Sequence, residues 1–388
     1  MKNTRRAFAW SSLGIGAAYA RGIDIGSSRG GNQPTSVRLH EDPKLSCFEV
    51  NLARGFGSDL VATFGRAAPG TEAGEVAMVL SRDGARTWSH ANPLANFSSG
   101  HQLAGLARLS DGSLLASTTK FGFLFEGKLA WRKDSETEGV FVSKSKDGGH
   151  HWDDARKLDI APFATAWTRG SIIEMPDGSL LLPLAGQKRG RYQRAGEPVA
   201  SFLMRSSNQG ATWAYHSIIS RDVHGSNDYD EPAMVSLGGE RLLCMLRKHE
   251  SIRQAPAGGY LHMTMSEDGG ATWSKTQPTS MWGHPAHLLR LRDGRVLCTY
   301  GYRMHPNPGV KGCVSEDGTA WKPGNIFSIQ EVADLDSDRL QIGCPSSVQL
   351  DDGGILTGYQ VWSENKAAGT QTGAAQNRQR LEGSLYRV

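Results

Sequence analysis

Several charged residues stand where the surrounding pattern is that of apolar strands. Asp230 and Glu231 open DEPAMVSL, and Arg247 closes CMLR sixteen residues after Glu231. Tyr302 and Arg303 end VLCTYGYR, Arg169 stands just ahead of SIIEM, and His284 and His287 flank the proline of GHPAHLL. A guanidinium is always charged and grips a carboxylate through two parallel hydrogen bonds. Glutamate and histidine are the usual carriers of protons in catalysis. Together these types suit an anion-binding site with proton transfer: Glu231, His284, His287 and Tyr302 for chemistry, Arg247, Arg303, Arg169 and Asp230 for binding. Plainer roles are open for each. Glu231 and Arg247 suit an ion pair that orients strands, one histidine a satisfied hydrogen-bonding residue, and Arg169 either a channel or a bridge between elements. No H-x-x-x-H pair or acidic cluster is present, so neither a metal nor a cofactor is expected.

The elements that would hold these residues are written as repeats. Ser-x-Asp-x-Gly-x-x-Trp recurs as SRDGARTW from Ser81, SKDGGHHW from Ser145, SSNQGATW from Ser206, SEDGGATW from Ser266 and, shortened, SEDGTAW from Ser315. The third positions, Asp83, Asp147, Asn208, Asp268 and Asp317, are spaced by 64, 61, 60 and 49 residues. Asp-Gly supplies the turn, and the tryptophan supplies strand character and apolar bulk. A second hairpin pattern interleaves with the first: GLARLSDGSLLAS, SIIEMPDGSLLLP, AMVSLGGERLLCM, HLLRLRDGRVLCT and SSVQLDDGGILTG, with a degenerate first member from Glu49. Two hairpins per unit make a four-stranded antiparallel sheet. Six units predict an all-β, six-bladed propeller with blades near 45–95, 100–160, 165–222, 228–280, 284–327 and 340–388. Blade six lacks the first pattern, and SVRLHE (Ser36–Glu41) or the terminal SLYRV is expected to complete it. Insertions at 120–138, 186–198, 222–230 and 328–340 are long for hairpin loops.

These motifs resemble the sialidase superfamily, whose hallmark is this Asp-box in a six-bladed propeller; the resemblance runs from about Ser46 to the C-terminus. It implies that the Asp-boxes are structural. Sialidases carry a Glu in an E-P-x-apolar strand with an Arg about sixteen residues on, matched by Glu231 and Arg247, and a further Arg in the next blade, matched by Arg303. The resemblance makes both arginines part of a carboxylate-binding cluster. In that family the Glu activates a Tyr nucleophile. The chain also departs from the pattern. Cys344 stands at the place of the Tyr, Glu49 at the place of the first Arg, and only Glu72 and Glu75 occupy the region of the Asp acid.

Three readings follow, in order: a divergent sialidase-like hydrolase of an acidic sugar, sialic or uronic; a propeller that binds a glycan or protein without turnover; or a shifted match, with Tyr302 or Tyr359 as nucleophile. A uronate lyase is a chemical variant of the first. The expected partner is an acidic glycan or glycoconjugate.

With 388 residues and repeats along most of its length, the chain is read as residues 1–20 an export signal, 21–35 a flexible segment and 36–388 one propeller. Lys2, Arg5 and Arg6, the apolar Ala7–Ala18 stretch and Ala18-Tyr19-Ala20 fit a cleaved signal. Thr4-Arg5-Arg6-Ala7-Phe8 resembles a twin-arginine signal, which points to the periplasm or beyond. A net charge of +4 with scattered basic residues does not suit nucleic acid, and no later stretch is apolar enough for a membrane span. Five dispersed cysteines indicate neither zinc nor a disulfide framework. A monomer is expected.

Overall fold

The computed structural model describes residues 33–388, except 68–73, 95–96, 98–100, 122–136, 170–171, 189–196, 251–258, 305–306, 333–341 and 364–377. The export pattern, the flexible segment up to residue 32, Glu72 and most of the 120–138, 186–198 and 328–340 insertions lie outside the described residues. No helix among the described residues is long and apolar enough to cross a membrane.

Six antiparallel sheets follow one another along the chain. Their first strands are Ser46–Arg54, His101–Arg108, Thr165–Thr168 with Ile173–Glu174, Asn227–Gly238, Ala286–Arg290 and Gly343–Gln349. Blades I to V each end in a strand of their own, the last at Ile326–Glu331. Blade VI is finished by the chain start: Arg378–Tyr386 is its third strand, and Thr35–His40 pairs alongside as the fourth. Both segments offered by the sequence are therefore used, and strands from the two ends of the described chain close the ring in one sheet. Asp222–Asn227, expected as part of a long loop, is a tight turn in which Asp222 accepts the N–H groups of His224 and Asn227.

The blades are buried on both faces, which explains their near-continuous apolar strands. Leu180, Leu182 and Leu184 face a core shared with blade II, while Leu181 between them faces a core shared with blade IV. Six such clusters form, each between two adjacent blades. A period of two thus divides each second strand between two cores. Cys244 and Cys298 are fully buried in these layers.

Each Asp-box is a closed corner. In the fourth, Ser266 Oγ accepts the Gly270 N–H at 2.9 Å, Asp268 accepts the Thr272 N–H at 2.9 Å, and Trp273 Nε1 donates back to the Gly270 carbonyl at 3.1 Å. Gly270 needs its φ of +85° to turn there. The same serine and aspartate or asparagine bonds recur at Ser81, Ser145 and Ser206.

Candidate active site

First strands of neighbouring blades touch one another around the axis. Four of them carry one extra residue against their partner strand: between Phe48 and Asn51, Gln102 and Gly105, Asp230 and Ala233, and Gly343 and Ser346. A bulge bends the strand and re-aims a side chain. In three blades the bulged residue is a non-glycine in the left-handed region: Glu49 at φ 58°, Glu231 at 49° and Cys344 at 51°. That conformation is uncommon for residues with a Cβ, and it is found where structure around the site enforces it. Blade III offers Arg169 in the gap between the two parts of its first strand, and blade V offers His284 two residues ahead of its first strand. One backbone device thus brings Glu49, Glu231 and Cys344 to the centre, where Arg169 and His284 join them.

Arg169 ties them together. Its Nε donates to Glu231 Oε1 at 3.3 Å, and its Nη2 donates to Glu49 Oε1 at 2.8 Å and to Cys344 Sγ at 3.1 Å. These partners lie 62, 120 and 175 residues away in sequence. Arg247 adds a bond from Nη1 to the same Glu231 Oε1 at 3.1 Å. His284 Nδ1 lies 3.9 Å from Glu231 Oε2. Arg303 completes the group, with its Nη2 against Gly343. Three guanidinium groups, those of the arginines expected to bind, therefore meet two carboxylates, and Arg169 comes in from blade III.

Burial and charge compete at each group. Burial opposes ionisation of Glu231, but Arg247, Arg169, His284 and Arg303 outweigh it and hold the carboxyl at about 2. Burial pushes the Glu49 carboxyl up; Arg169 opposes this and Glu231 adds to it. The Cys344 thiol is pushed up to about 11 by burial, against Arg169. Burial lowers the Arg303 guanidinium, and its buried Nε has no hydrogen-bond partner among the described residues.

The other expected residues fall around this centre. His287 lines an axial cavity, where its Nδ1 accepts the Ser347 N–H at 3.3 Å and burial lowers it to about 4, keeping it neutral. The cavity is bordered by Glu49, Arg169 and Cys344 as well as by His287. Asp230 is buried behind the site: its Oδ1 accepts Trp167 Nε1 at 2.8 Å and the Glu231 N–H at 2.6 Å, so it positions Glu231. Tyr302 is not brought to the cluster. Its ring packs edge-on to Trp282 at 5.9 Å, with Lys311 Nζ 3.4 Å from its centroid. Tyr359, the other alternative nucleophile, is fully buried and hydrogen-bonded to Ser384 and Gln330, with its hydroxyl pushed to about 12 by burial. Glu75 is held by Arg66 at 2.6 Å on the edge of blade I.

Two supports were not foreseen. Gln360 Oε1 accepts the Glu49 N–H at 2.8 Å and so fixes the blade I bulge from blade VI. His249 stands between Asp228 and Asp230, at 3.5 and 3.9 Å. Burial lowers its pKa, but the hydrogen bond to Asp230 and the charges of Asp230 and Asp228 together raise it above the ordinary value. No group of three or more potential metal ligands occurs among the described residues.

A family model described as a BNR repeat-like domain matches residues 57–359. Among solved structures, a protein of unknown function from Dyadobacter fermentans superposes with a TM-score of 0.73 at 23% identity, over 93% of this chain and all of that one. The NanB sialidase from Streptococcus pneumoniae gives 0.60 at 12% identity, over 91% of this chain and 70% of that one. The α-L-arabinanase from Penicillium chrysogenum gives 0.59 at 13% identity, over 92% and 98%. At these identities the likeness is one of fold. No curated protein matches the chain.

Proposed function

The chain belongs to the BNR repeat-like domain family, and from that premise we propose that it is a sialidase-like glycosidase whose axial cluster holds a carboxylate-bearing sugar. The observation that carries this reading is the convergence of Arg169, Arg247 and Arg303 on Glu231. Three cations against two carboxylates leave one positive charge uncompensated even with both acids ionised. Arg303 keeps a buried donor in reserve. A desolvated, partly unpaired cation is costly, and an incoming carboxylate relieves that cost.

In this reading Arg303 and Arg247 anchor the sugar carboxylate. Glu231, held at about 2, is ionised at any working pH and stabilises positive charge developing on the sugar ring. Sialic and uronic acids are the candidate sugars, with exo-α-sialidase activity as the default. Cys344 stands where sialidases place a tyrosine. With its thiol pushed up to about 11 it stays protonated, so the reading favours attack by water over a covalent sugar on that residue. The N-terminal pattern from Thr4 to Ala20 supports action outside the cytoplasm.

A second reading, binding without turnover, draws on the same two residues: neither Glu231 nor Cys344 titrates near neutral pH. Fluorogenic sialosides and uronides offered to the parent protein and to Arg303→Ala separate the two. Turnover that falls by about 10- to 100-fold in the variant, as expected for a lost hydrogen bond to a charged group, supports the glycosidase. Binding of acidic sugars without turnover supports the second reading. Neither binding nor turnover of any acidic sugar sinks both.

A further inference from the structure

We propose that Glu49 is the catalytic acid of the axial site, the carboxyl that gives a proton to the leaving glycosidic oxygen and regains it from water. The proposal rests on the glycosidase reading above.

Glu49 and Glu231 occupy the same bulged place in blades I and IV, which face each other across the axis of a six-bladed ring. Arg169 bonds both, at 2.8 and 3.3 Å, so the two carboxyls flank one small space. Their surroundings differ. Glu231 meets Arg247, Arg169, His284 and Arg303. Glu49 meets one cation, Arg169, with the neutral Cys344 thiol alongside and the Glu231 anion across from it. Its Oε2, like that of Glu231, is buried and has no hydrogen-bond partner among the described residues, but only Glu49 lacks a surplus of cations to hold it ionised. That oxygen is free to carry a proton. Of the two acids, Glu49 alone borders the axial cavity, whose wall also carries the neutral His287. The cavity gives Glu49 a path for regaining its proton.

The directions of titration agree with the geometry. Burial pushes Glu49 up, whereas Arg247 and its neighbours hold Glu231 at about 2. Paired carboxyls driven apart in this way divide into an acid and a permanent anion. The step balances with water as the only co-reactant. The bond from the anomeric carbon to the bridging oxygen breaks, its electron pair goes to that oxygen, and the oxygen takes the proton of Glu49. Water adds to the anomeric carbon, and the proton it releases restores Glu49.

Two measurements test this on the full chain and on Glu49→Gln, with Glu231→Gln as comparison. Infrared titration should show a protonated-carboxyl band that persists above the ordinary carboxylate range and vanishes in Glu49→Gln. Kinetics on glycosides graded by leaving group should show Glu49→Gln losing about 10²- to 10⁴-fold on poor leaving groups and little on acidic phenols, which need no protonation. Glu231→Gln should lose rate on both. A band unchanged by Glu49→Gln overturns the proposal, as does an equal loss on all leaving groups. If the parent turns over no acidic glycoside, the glycosidase reading and the acid role fall together; the infrared titration then shows whether the proton was also misassigned.

Discussion

The rim and the axis of this propeller solve opposite problems with equivalent backbone positions. At the rim, one corner is repeated: serine, aspartate or asparagine, a turn residue in the left-handed region, and usually tryptophan. In four copies the serine takes a backbone N–H four residues on, so these bonds stay local, although the indole N–H groups of Trp88 and Trp321 have no partner among the described residues. At the axis, equivalent bulges in blades I, IV and VI carry Glu49, Glu231 and Cys344, and Arg169 from blade III is needed to satisfy them. Repeated residues whose bonds stay local maintain the fold. Different residues at equivalent places, completed by one another across the ring, are where we place the ligand.

The largest effect should come from Arg169→Ala. It leaves two buried carboxyls without their shared cation, and loss of one partner of a buried pair costs about 3–5 kcal/mol. Chemical denaturation should show that loss. A change under 1 kcal/mol would mean the cluster is solvated and the contrast with the rim is false. Arg303→Ala should separate function from stability: acidic-sugar affinity should fall by about 10- to 100-fold, with the unfolding midpoint nearly unchanged. At the rim, Ser266→Ala should cost about 1–3 kcal/mol by leaving the Gly270 N–H unpaired in a buried corner, with acidic-sugar affinity untouched. If that variant weakened binding, the division between rim and axis would not hold.

The remaining effects are on the acid side of the stability curve. Glu231 is depressed from 4.5 to about 2, so its contribution is complete above pH about 4.5 and is lost as pH falls towards 2. His287 is depressed from 6.5 to about 4; it too favours the fold above its unfolded value and loses that contribution as pH falls from about 6.5 to 4. Glu49 has the opposite sign, because a raised carboxyl favours the fold at low pH and opposes it once ionised. Unfolding curves of His287→Gln should lose the slope between pH 6.5 and 4, and those of Glu231→Gln the slope below 4.5. A slope that stays in His287→Gln would show that His287 is solvated.

The fold was legible because its signals are local. Each Asp-Gly turn and each alternating strand is decided by a few neighbours, and six repetitions leave little choice of architecture. Blade VI shows the limit: two candidate strands were visible, and only the closing of the ring gives a place to both. The Glu231 and Arg247 pair was also legible, because a hairpin joins them; Asp230 pairs with Arg247 directly. Arg303 stands one residue beyond the place that corresponds to Arg247 in the next blade. Ala233 pairs with Met245 and Ala286 with Tyr300, so Tyr302 holds the place of Arg247. Arg303, one residue past the strand end, turns in to the axis instead. The contacts of Arg169 with Glu49 and Cys344 span 120 and 175 residues and depend on ring closure, which no local pattern encodes.

The central claim is that the axial arginines recognise a carboxylate. The most direct test is calorimetric titration of the parent protein and Arg303→Ala with a sialic or uronic acid and with the neutral amide of the same sugar. The account predicts that the parent binds the acid, binds the amide at least about 10-fold more weakly, and loses the difference in the variant. Equal affinity for acid and amide, or a preference for the acid that survives in Arg303→Ala, would contradict it.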